Sequence, residues 1–384
     1  MNPEFKKTFR PVIQKPGAIE VANGKNTIEL DDEDGKLYAL LNLLDGSRSV
    51  TEIARTLDIP LSDMMEALEA LNELGFLEYN SAPSTYSPTE LERYQANLNY
   101  FSGFASLQKS KFSYQDALRD AKVAVLGLGG GCLTATYLAG LGVGEIVGVD
   151  FDTISRTNLN RQFLYCEDDV GRLKSEVAEE KIRRVNPEVK VTMVNREIRG
   201  FEDLLDILEG CDVAVSMMDQ PALISHRWVN AACVKLGIPY YRGGFSNHSM
   251  IWERFTPGGD EPCYDCKLID LLQKGQEDAV YRLKTNYGRI FSGVNTGFAP
   301  NVSILTGLYI ADVVKYITGH AQLSKPFIEM DTATMEMVLS DHDCEKKACC
   351  PTCGAGAGAE LDRMVGLDEL IEIGLSAEVL VDEL

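Results

Sequence analysis

Positive charge is scarce in this sequence. Its 37 lysines and arginines stand against 58 aspartates and glutamates, which gives a formal net charge of −21. Nucleic acids and anionic membranes are bound through clusters of basic side chains, so this balance argues against both as partners. Long apolar runs are also missing: none has the length that crosses a bilayer, and no signal-peptide core is present in the opening residues, MNPEFKKTFRPVIQ. We therefore expect a cytoplasmic protein.

Cysteine, in contrast, is not scarce. Ten cysteines occur in a chain of 384 residues without an export signal, and in that setting metal binding is favoured over disulfides. A chain of this length is long enough for two or three domains, each with its own core.

A run of glycines between two apolar segments is the most informative stretch. The first segment is Val123–Leu126, a helix pattern of small residues follows the glycines, and the second segment closes on Asp150. This order of strand, glycine turn, helix and strand binds nucleotides, because glycine lets the backbone approach phosphate and the helix start offers free N–H groups. Asp150 is placed to accept a ribose hydroxyl. The glycines are Gly127, Gly129, Gly130 and Gly131.

Two other interpretations of the glycines are open at this point. They could form only a tight turn, or they could belong to a dinucleotide-dependent dehydrogenase, where Cys132 would replace the glycine that lets helix and strand pack closely. The polar residues that follow favour an enzyme acting on ATP, because basic side chains can neutralise a triphosphate and a carboxylate can hold magnesium. These residues are Asp152, Asn158, Asn160, Arg161, Gln162 and Lys174.

Four motifs follow one another in this region, in the order G-x-G-G, D-x-D, T-N-L-N-R-Q and D-V-G-x-x-K. Together they resemble the adenylating family that includes ThiF, MoeB and the ubiquitin-activating enzymes, over about Leu91 to Gly354. The resemblance implies that ATP converts a peptide carboxylate into an acyl adenylate. It also implies that ATP is bound by Gly127, Gly129, Gly130, Gly131, Asp150, Asp152, Asn158, Arg161, Gln162 and Lys174.

The same resemblance implies catalytic roles. Arg161, Lys174 and Asn158 would stabilise the phosphates, and Asp219, in the segment DVAVSMMDQP, would bind magnesium. An aspartate after a strand is also a common N-cap of the next helix, which is the alternative for Asp219. The family forms homodimers in which the second arginine of R-Y-x-R reaches the neighbouring subunit's ATP. That role would move to Arg93 here or be lost, because the motif reads Arg93, Tyr94, Gln95, Ala96.

Beyond Lys174 the chain alternates between helical and strand patterns. Helices are predicted at Ser175–Val185 and Phe201–Glu209, and strands at Val189–Val194 and Asp212–Met217. Such alternation predicts an α/β fold with a Rossmann-like, mostly parallel sheet covered by helices on both faces. Ligands lie at the carboxyl ends of the strands in such sheets, where the glycine turn and Asp219 are expected. We assign residues 91–354 to this adenylation domain.

Two C-x-x-C pairs stand about 80 residues apart. Each pair can close a tight turn around one tetrahedral zinc, and four thiolates leave no position for water, so the predicted site is structural. Redox-active pairs are the alternative, although C-P-T-C lacks the following helix that lowers a thiol pKa. The predicted ligands are Cys263, Cys266, Cys350 and Cys353, with Cys344 and Cys349 as neighbours.

Residues 1–80 predict a separate small winged-helix domain. Strand-like pieces precede helices that Ser49 and Ser62 would cap, and Phe76–Tyr79 would form a closing strand. The segment carries too few basic residues for DNA binding. It resembles the PqqD-type domains that hold the leader of a ribosomal precursor peptide as an added strand. A dimerisation or packing domain is the alternative. The predicted apolar helix positions are Ile53, Leu57, Met65, Leu68, Leu71 and Leu74.

Two segments are expected outside these domains. Residues 81–90 begin with the polar, proline-containing SAPSTYS, which is typical of a linker. Residues 355–384 comprise a Gly/Ala link, predicted to be flexible because no side chain can anchor it, and an acidic tail.

Residues 267–300 contain no cysteine, although ubiquitin-type enzymes carry their nucleophile near this region. The segment instead offers a partly basic surface that suits an acidic peptide or a solvated loop. Its side chains are Tyr281, Arg282, Lys284 and Arg289.

The combination of domains resembles the branch of the family that acts on precursor peptides in microcin C and pantocin maturation. We therefore predict ATP- and magnesium-dependent adenylation of a carboxylate on a ribosomally made precursor peptide, by a protein with structural zinc. Two alternatives remain. Activation of a sulfur-carrier C-terminus, as by ThiF or MoeB, would use the same ATP residues without an N-terminal domain. A noncatalytic scaffold that presents a peptide would not need intact ATP residues.

Overall fold

The computed structural model describes residues 2–23, 26–79, 83, 85–290, 296–355 and 357–376. The chain divides into two units, Met1–Leu118 with Thr318–Gln322, and Arg119–Ile317 with Leu323–Leu384. The first unit therefore extends past residue 80, where the sequence suggests a boundary. Of the predicted linker, residues 81, 82 and 84 lie outside the described residues.

The first unit combines short strands with helices. Its strands are β1 (Pro3–Phe5), β2 (Val12–Lys15), β3 (Ala18–Asn23), β4 (Asn26–Asp31) and β5 (Leu77–Tyr79). Its helices are α1 (Lys36–Leu43), α2 (Val50–Leu57), α3 (Leu61–Glu73), α4 (Pro88–Arg93), α5 (Gln95–Ser102) and α6 (Lys111–Asp120), the last of which ends just past the boundary. Strands β2, β3 and β4 form an antiparallel sheet, and β1 pairs with β5 after the helices.

Local sequence explains where these helices begin. Ser49 caps α2 through a capping box, as its position predicts. The same prediction for Ser62 is wrong: α3 begins at Leu61, directly after Pro60, so Ser62 lies inside the first turn. Proline before a helix fixes the backbone entry without a side-chain cap.

The buried face of α3 includes the predicted Leu68 and Leu71, but Met64 lies on it in place of the predicted Met65. Met64, Leu68 and Leu71 are buried and follow the i, i+4, i+7 spacing of one helix face. Met65 and Leu74, both predicted to be apolar core positions, are 55% and 48% exposed. One residue turns a helix by about 100°, so the choice between two adjacent methionines decides which side faces the core.

A buried polar cluster explains why the first unit includes α5 and α6. Glu78, in β5, is almost completely buried. Its carboxylate accepts hydrogen bonds from Ser102 Oγ at the end of α5, at 2.9 Å, and from Lys111 Nζ at the start of α6, at 3.2 Å. A buried charge needs such partners, so the closing strand and the later helices are joined in one unit.

The second unit is built on one large sheet. Its strands are β6 (Lys122–Leu126), β7 (Glu145–Val149), β8 (Lys190–Val194), β9 (Val213–Ser216), β10 (Tyr240–Phe245), β11 (Ser249–Phe255), β12 (Phe327–Asp331) and β13 (Met337–Ser340). Its helices are α7 (Gly131–Leu141), α8 (Lys174–Val185), α9 (Glu202–Leu208), α10 (Ile224–Leu236), α11 (Tyr264–Asn286), α12 (Ala299–Thr318) and α13 (Leu367–Ser376).

The sheet confirms the predicted Rossmann-like fold. Its order is β13-β12-β11-β10-β9-β6-β7-β8, and the five strands from β10 to β8 in this order run parallel. The remaining pairings, from β10 to β13, are antiparallel. The chain runs from β6 to one side through β7 and β8, then returns to the other side at β9. Such a switch point leaves a crevice at the carboxyl ends of β6 and β9.

The C-terminal part of the chain packs on this unit. Leu370 and Ile371 of α13 are buried, and a Cβ placed on Gly374 would lie 2.7 Å from Leu272 of α11. The described residues of the Gly/Ala stretch are hydrogen-bonded rather than loose: Gly358 N donates to Thr352 O at 3.0 Å. The small residues therefore allow close backbone packing. No helix in the described part of the chain is long and apolar enough to cross a membrane.

Candidate nucleotide site and metal centre

The glycine turn joins β6 to α7 and closes against the strand on each side of β6. Gly127 has a φ of 88°, which favours glycine, and its N–H donates to Val149 O at 2.9 Å. A Cβ placed on Gly131, the first residue of α7, would lie 2.7 Å from Val125 Cγ1. The turn therefore needs glycine both for its conformation and for close approach of the helix to the strand.

Cys132, which replaces a third glycine, is a core residue. Its side chain is completely buried, and burial raises the pKa of its thiol to about 12. A thiol with such a pKa stays protonated at neutral pH and is a poor nucleophile.

Asp150, at the end of β7, holds the turn in place. One carboxylate oxygen accepts a hydrogen bond from Leu128 N at 2.7 Å, and the other accepts from Asp152 N at 2.8 Å. Burial raises the pKa of Asp150, and the nearby Lys174 ammonium opposes this rise. The predicted ribose acceptor is therefore also a structural link between the glycine turn and the D-x-D motif.

Gly129, Gln162 and Lys174 come together beside the turn. A Cβ placed on Gly129 would lie 3.1 Å from Gln162 Nε2 and 3.9 Å from Lys174 Nζ. The Lys174 ammonium is buried and lies 2.7 Å from Asp152. Gln162 Oε1 is also buried and has no hydrogen-bond partner among the described residues. This is a cradle of backbone, amide and ammonium that fits a phosphate chain.

A loop with tied ends carries Asn158, Arg161 and Gln162. At its neck, Ile154 N donates to Arg172 O and Gly171 N donates to Ile154 O, both at 2.8 Å, while Lys174 N donates to Asp152 O at 2.9 Å. The neck fixes both ends of the loop next to the glycine turn. The motifs predict that these residues lie near the nucleotide site. The backbone hydrogen bonds of the neck explain how the loop brings them there.

Within this loop, Asn158 and Arg161 are oriented by local hydrogen bonds. Asn158 Oδ1 accepts from Ser155 N at 3.0 Å, so the side chain caps a short helical turn. Arg161 Nη1 donates to Thr157 O and to Asn160 Oδ1, both at 2.9 Å. Burial lowers the pKa of Arg161, and the charge of Asp219 raises it.

Asp219 follows β9, and the structure excludes the helix-cap alternative for it. Helix α10 begins only at Ile224, after Leu223. The Asp219 side chain is exposed at the surface. Partial loss of its hydration nevertheless raises the pKa of its carboxyl, and the positive charges of Lys174 and Arg161 oppose this rise. No lysine or arginine nitrogen of the described residues forms an ion pair with it within 4.0 Å. A carboxylate in this setting is suited to a divalent cation.

Tyr165 belongs to the site and was not anticipated from the sequence. Its buried hydroxyl donates to Leu128 O of the glycine turn at 2.9 Å and lies 3.5 Å from Lys174 O. The only sequence signal is its place between the T-N-L-N-R-Q and D-V-G-x-x-K motifs. A buried tyrosine hydroxyl needs a partner, and here it joins the glycine turn to the start of α8.

The altered R-Y-x-R segment lies in the first unit. Arg93 ends α4 and Ala96 lies in α5, and both are exposed. In the second unit, the predicted basic surface of residues 267–300 is partly neutralised by acids: Arg282 pairs with Asp278, and Lys284 pairs with Asp368 of α13. Residues 291–295 of that stretch lie outside the described residues.

The four predicted cysteine ligands meet at one point. Cys263 Sγ lies 4.0 Å from Cys266 Sγ and 3.7 Å from Cys350 Sγ, and Cys266 Sγ lies 3.4 Å from Cys353 Sγ. Tetrahedral zinc with bonds of about 2.3 Å needs sulfurs about 3.8 Å apart, so the cluster fits this metal. All four sulfurs lie within 4.8 Å of one another.

The surroundings of the cluster also fit a structural metal. No disulfide forms among the ten cysteines, and Cys344 and Cys349 do not belong to the cluster. Asn230 Nδ2 and Lys347 N approach the sulfurs of Cys263 and Cys266, at 3.6 and 3.4 Å, as donors that stabilise thiolates.

A sequence model of the ThiF family matches residues 94–352. The chain belongs to the ThiF family. The molybdopterin-synthase adenylyltransferase of Salmonella typhimurium is 30% identical over 244 residues, which are 63% of this chain and 91% of that protein. The sulfur carrier protein ThiS adenylyltransferase of Escherichia coli is 36% identical over 160 residues, 41% of this chain and 61% of that protein. This member of the ThiF family is an enzyme of the adenylyltransferase type.

Solved structures of the family extend the similarity. Escherichia coli MccB with ATP matches with a TM-score of 0.70 and 25% identity, covering 92% of this chain and 100% of MccB. The microcin C7 biosynthetic enzyme MccB in complex with N-formylated MccA matches with a TM-score of 0.71 and 26% identity, with the same coverage. PaaA shares the fold, with a TM-score of 0.62, 24% identity, and coverage of 77% of this chain and 96% of PaaA.

Proposed function

We propose that the chain adenylates a carboxylate on a ribosomally synthesised precursor peptide, in the maturation of a peptide antibiotic of the microcin C or pantocin type. The observation that supports this most is the convergence of Lys174, Gln162 and Gly129 on one cradle. The charges of Arg161 and Asp219 also influence each other's pKa, in opposite directions. The similarity to MccB, solved with ATP and with MccA, supports a peptide as the proposed substrate.

In the proposed reaction a peptide carboxylate oxygen attacks the α-phosphorus of ATP. The bond from the α-phosphorus to the bridging oxygen breaks, giving acyl-AMP and pyrophosphate. Lys174 and Arg161 would neutralise the charge that shifts to pyrophosphate, and Asn158 would hold a phosphate oxygen. Asp219 would hold magnesium, which when bound supplies further charge neutralisation.

The acyl adenylate is proposed to pass directly to a nitrogen nucleophile rather than to an enzyme thiol. Residues 267–300 contain no cysteine, and Cys132 is completely buried. Four other cysteines, Cys263, Cys266, Cys350 and Cys353, are proposed to bind zinc instead. A trapped thioester that hydroxylamine releases would contradict this step.

Leader binding is proposed for the first unit, following its resemblance to PqqD-type domains. Strands β2 and β4 are the edges of its three-stranded sheet, where an extended peptide can add a strand. Helix α3 adds exposed apolar side chains at Leu61 and Met65. The family resemblance also supports a homodimer, which analytical ultracentrifugation of the full chain can test.

Oxygen labelling tests the reaction. Precursor peptide carrying heavy oxygen in its carboxyl groups should yield AMP with one heavy oxygen and unlabelled pyrophosphate. Asp219→Ala and Arg161→Ala should each slow the label transfer by about 100-fold or more, because each removes a charge partner of the transition state. Label in inorganic phosphate, with ADP as coproduct, would instead show γ-phosphoryl transfer and an acyl phosphate.

Activation of a sulfur-carrier C-terminus is the second candidate, favoured by the similarity to the molybdopterin-synthase and ThiS adenylyltransferases. It predicts that a small carrier protein, rather than a peptide with a leader, stimulates ATP–pyrophosphate exchange. Comparison of the two substrates under the same conditions separates the two reactions.

A further inference from the structure

A short backbone pairing holds the segment that follows Asp219. Ala222 N donates to Arg289 O, and Gly288 N donates to Ala222 O, both at 2.9 Å. The next residue, Leu223, has φ 62° and ψ −47°, which a bulky residue adopts only when its surroundings impose it. We term Tyr287–Arg289, the residues after α11, the clamp.

The clamp is fixed by a completely buried arginine of α10. Arg227 Nη1 donates to the Tyr287 hydroxyl at 2.9 Å. Its Nε and Nη2 donate to the two carboxylate oxygens of Asp265, at 2.8 and 3.0 Å. A bidentate pair of this kind sets the orientation of the guanidinium, so Arg227 holds Tyr287 in a defined place.

This network reaches both cysteine pairs. Asp265 lies between Cys263 and Cys266, and Thr352 lies between Cys350 and Cys353. The Thr352 hydroxyl donates to Asp265 at 2.7 Å. One chain of hydrogen bonds therefore runs from the two cysteine pairs through Arg227 to the clamp, and from the clamp to the Asp219 segment.

We propose that Tyr287 is a positioning residue for the magnesium site. By joining the clamp to Arg227, its hydroxyl sets the backbone that presents Asp219, so the cysteine centre orders this site in addition to stabilising the fold. The inference rests on the proposed function of Asp219 as a magnesium ligand.

Tyr287→Phe removes only the hydroxyl that Arg227 holds. Tyr316→Phe is the matched control, since Tyr316 lies in α12 of the second unit and belongs to neither the nucleotide site nor the cysteine cluster. ATP binding to the full chain is measured by calorimetry at a series of Mg²⁺ concentrations, and zinc is measured by elemental analysis. Tyr287→Phe should raise the half-saturating Mg²⁺ concentration about threefold or more. This is less than the loss of a direct hydrogen bond to a charged group would give, because the hydroxyl acts on Asp219 only through the clamp. The control should match wild type, and zinc should stay unchanged in both.

Two results with the Tyr287→Phe variant would overturn the inference. The first is an unchanged Mg²⁺ dependence in Tyr287→Phe. The second is a parallel loss of zinc and ATP binding, which would show that the hydroxyl only supports the fold. The measurement needs no peptide. A wild-type protein that adenylates no precursor peptide would contradict the proposed reaction, but the Mg²⁺ dependence of ATP binding could still be compared between wild type and Tyr287→Phe. ATP binding that ignores Mg²⁺ in the wild type would remove the role of Asp219, and the inference with it.

Discussion

The carboxylate of Asp150 is hydrogen-bonded to the backbone N–H of Leu128, at 2.7 Å, across the mouth of the glycine turn. The residue that the motif suggests as a ribose acceptor is therefore also a brace for the turn that would receive the phosphates. Loss of this carboxylate would remove the predicted ribose acceptor and the brace of the glycine turn together.

Asp150→Ala is expected to raise the ATP dissociation constant about tenfold or more, because two hydrogen bonds to a charged group are lost. Asp212→Ala is the matched control: its carboxylate accepts from Lys122 N, at 2.8 Å, at the other end of β6. Calorimetry on both full-length variants checks this. Equal ATP affinity in the two variants would show that the brace is not needed for binding.

Asp219→Asn should increase stability at neutral pH while weakening magnesium-dependent ATP binding. The folded protein raises the pKa of Asp219 above its ordinary value of 3.8, so the ionised form is disfavoured by folding. The gain should be present at neutral pH and should vanish as the pH falls well below the ordinary pKa, where the carboxyl is protonated in both the folded and the unfolded state. Urea unfolding of wild type and variant across this pH range gives the difference, and a gain that grows at low pH would contradict the assignment.

Removal of the metal centre should unfold the second unit. Purified protein should contain about one zinc per chain, and the double variant Cys263→Ser, Cys350→Ser should lose the metal and several kcal/mol of unfolding free energy. Cys349→Ser is the control, because this exposed cysteine is adjacent to Cys350 and lies outside the cluster. Full zinc content in the double variant would disprove the ligand set.

Met65→Glu should weaken binding of a precursor leader about tenfold or more, since it places a charge among apolar side chains that the peptide would cover. ATP binding without peptide should be unaffected. Leu236→Glu provides the comparison, as Leu236 is 38% exposed in α10 of the second unit. Fluorescence anisotropy with a labelled peptide measures the change, and equal peptide affinity in both variants would place the leader elsewhere.

Strong local patterns were sufficient to predict much of this molecule. The glycine turn, the alternation of strands and helices, and the two cysteine pairs each follow from residue types at fixed spacing. The distances among the cysteine sulfurs confirm the predicted cluster, and the sheet confirms the Rossmann-like fold. The roles of individual site residues, such as Arg161 and Asn158, stay predictions.

Other features depend on contacts between residues far apart in sequence. The local sequence does not distinguish Met64 from Met65. Only packing against the rest of the first unit determines that Met64 is the buried one. The role of Tyr165 requires that its hydroxyl meets Leu128 O, and the buried pair of Arg227 and Asp265 joins positions that no motif links. The small residues around Gly358 suggest flexibility in isolation, yet their backbone packs on the second cysteine pair.

The position of that second pair has a consequence for biosynthesis. Strand β13 ends at Ser340, so Cys350 and Cys353 follow every described strand of the sheet. On the ribosome, the metal centre can close only after the whole sheet has been translated. A chain interrupted before Cys350 retains only Cys263 and Cys266, a half-site that binds metal weakly. With zinc bound as predicted, metal retention would separate chains that extend past Cys353 from shorter ones, and full stability would be reached late in translation.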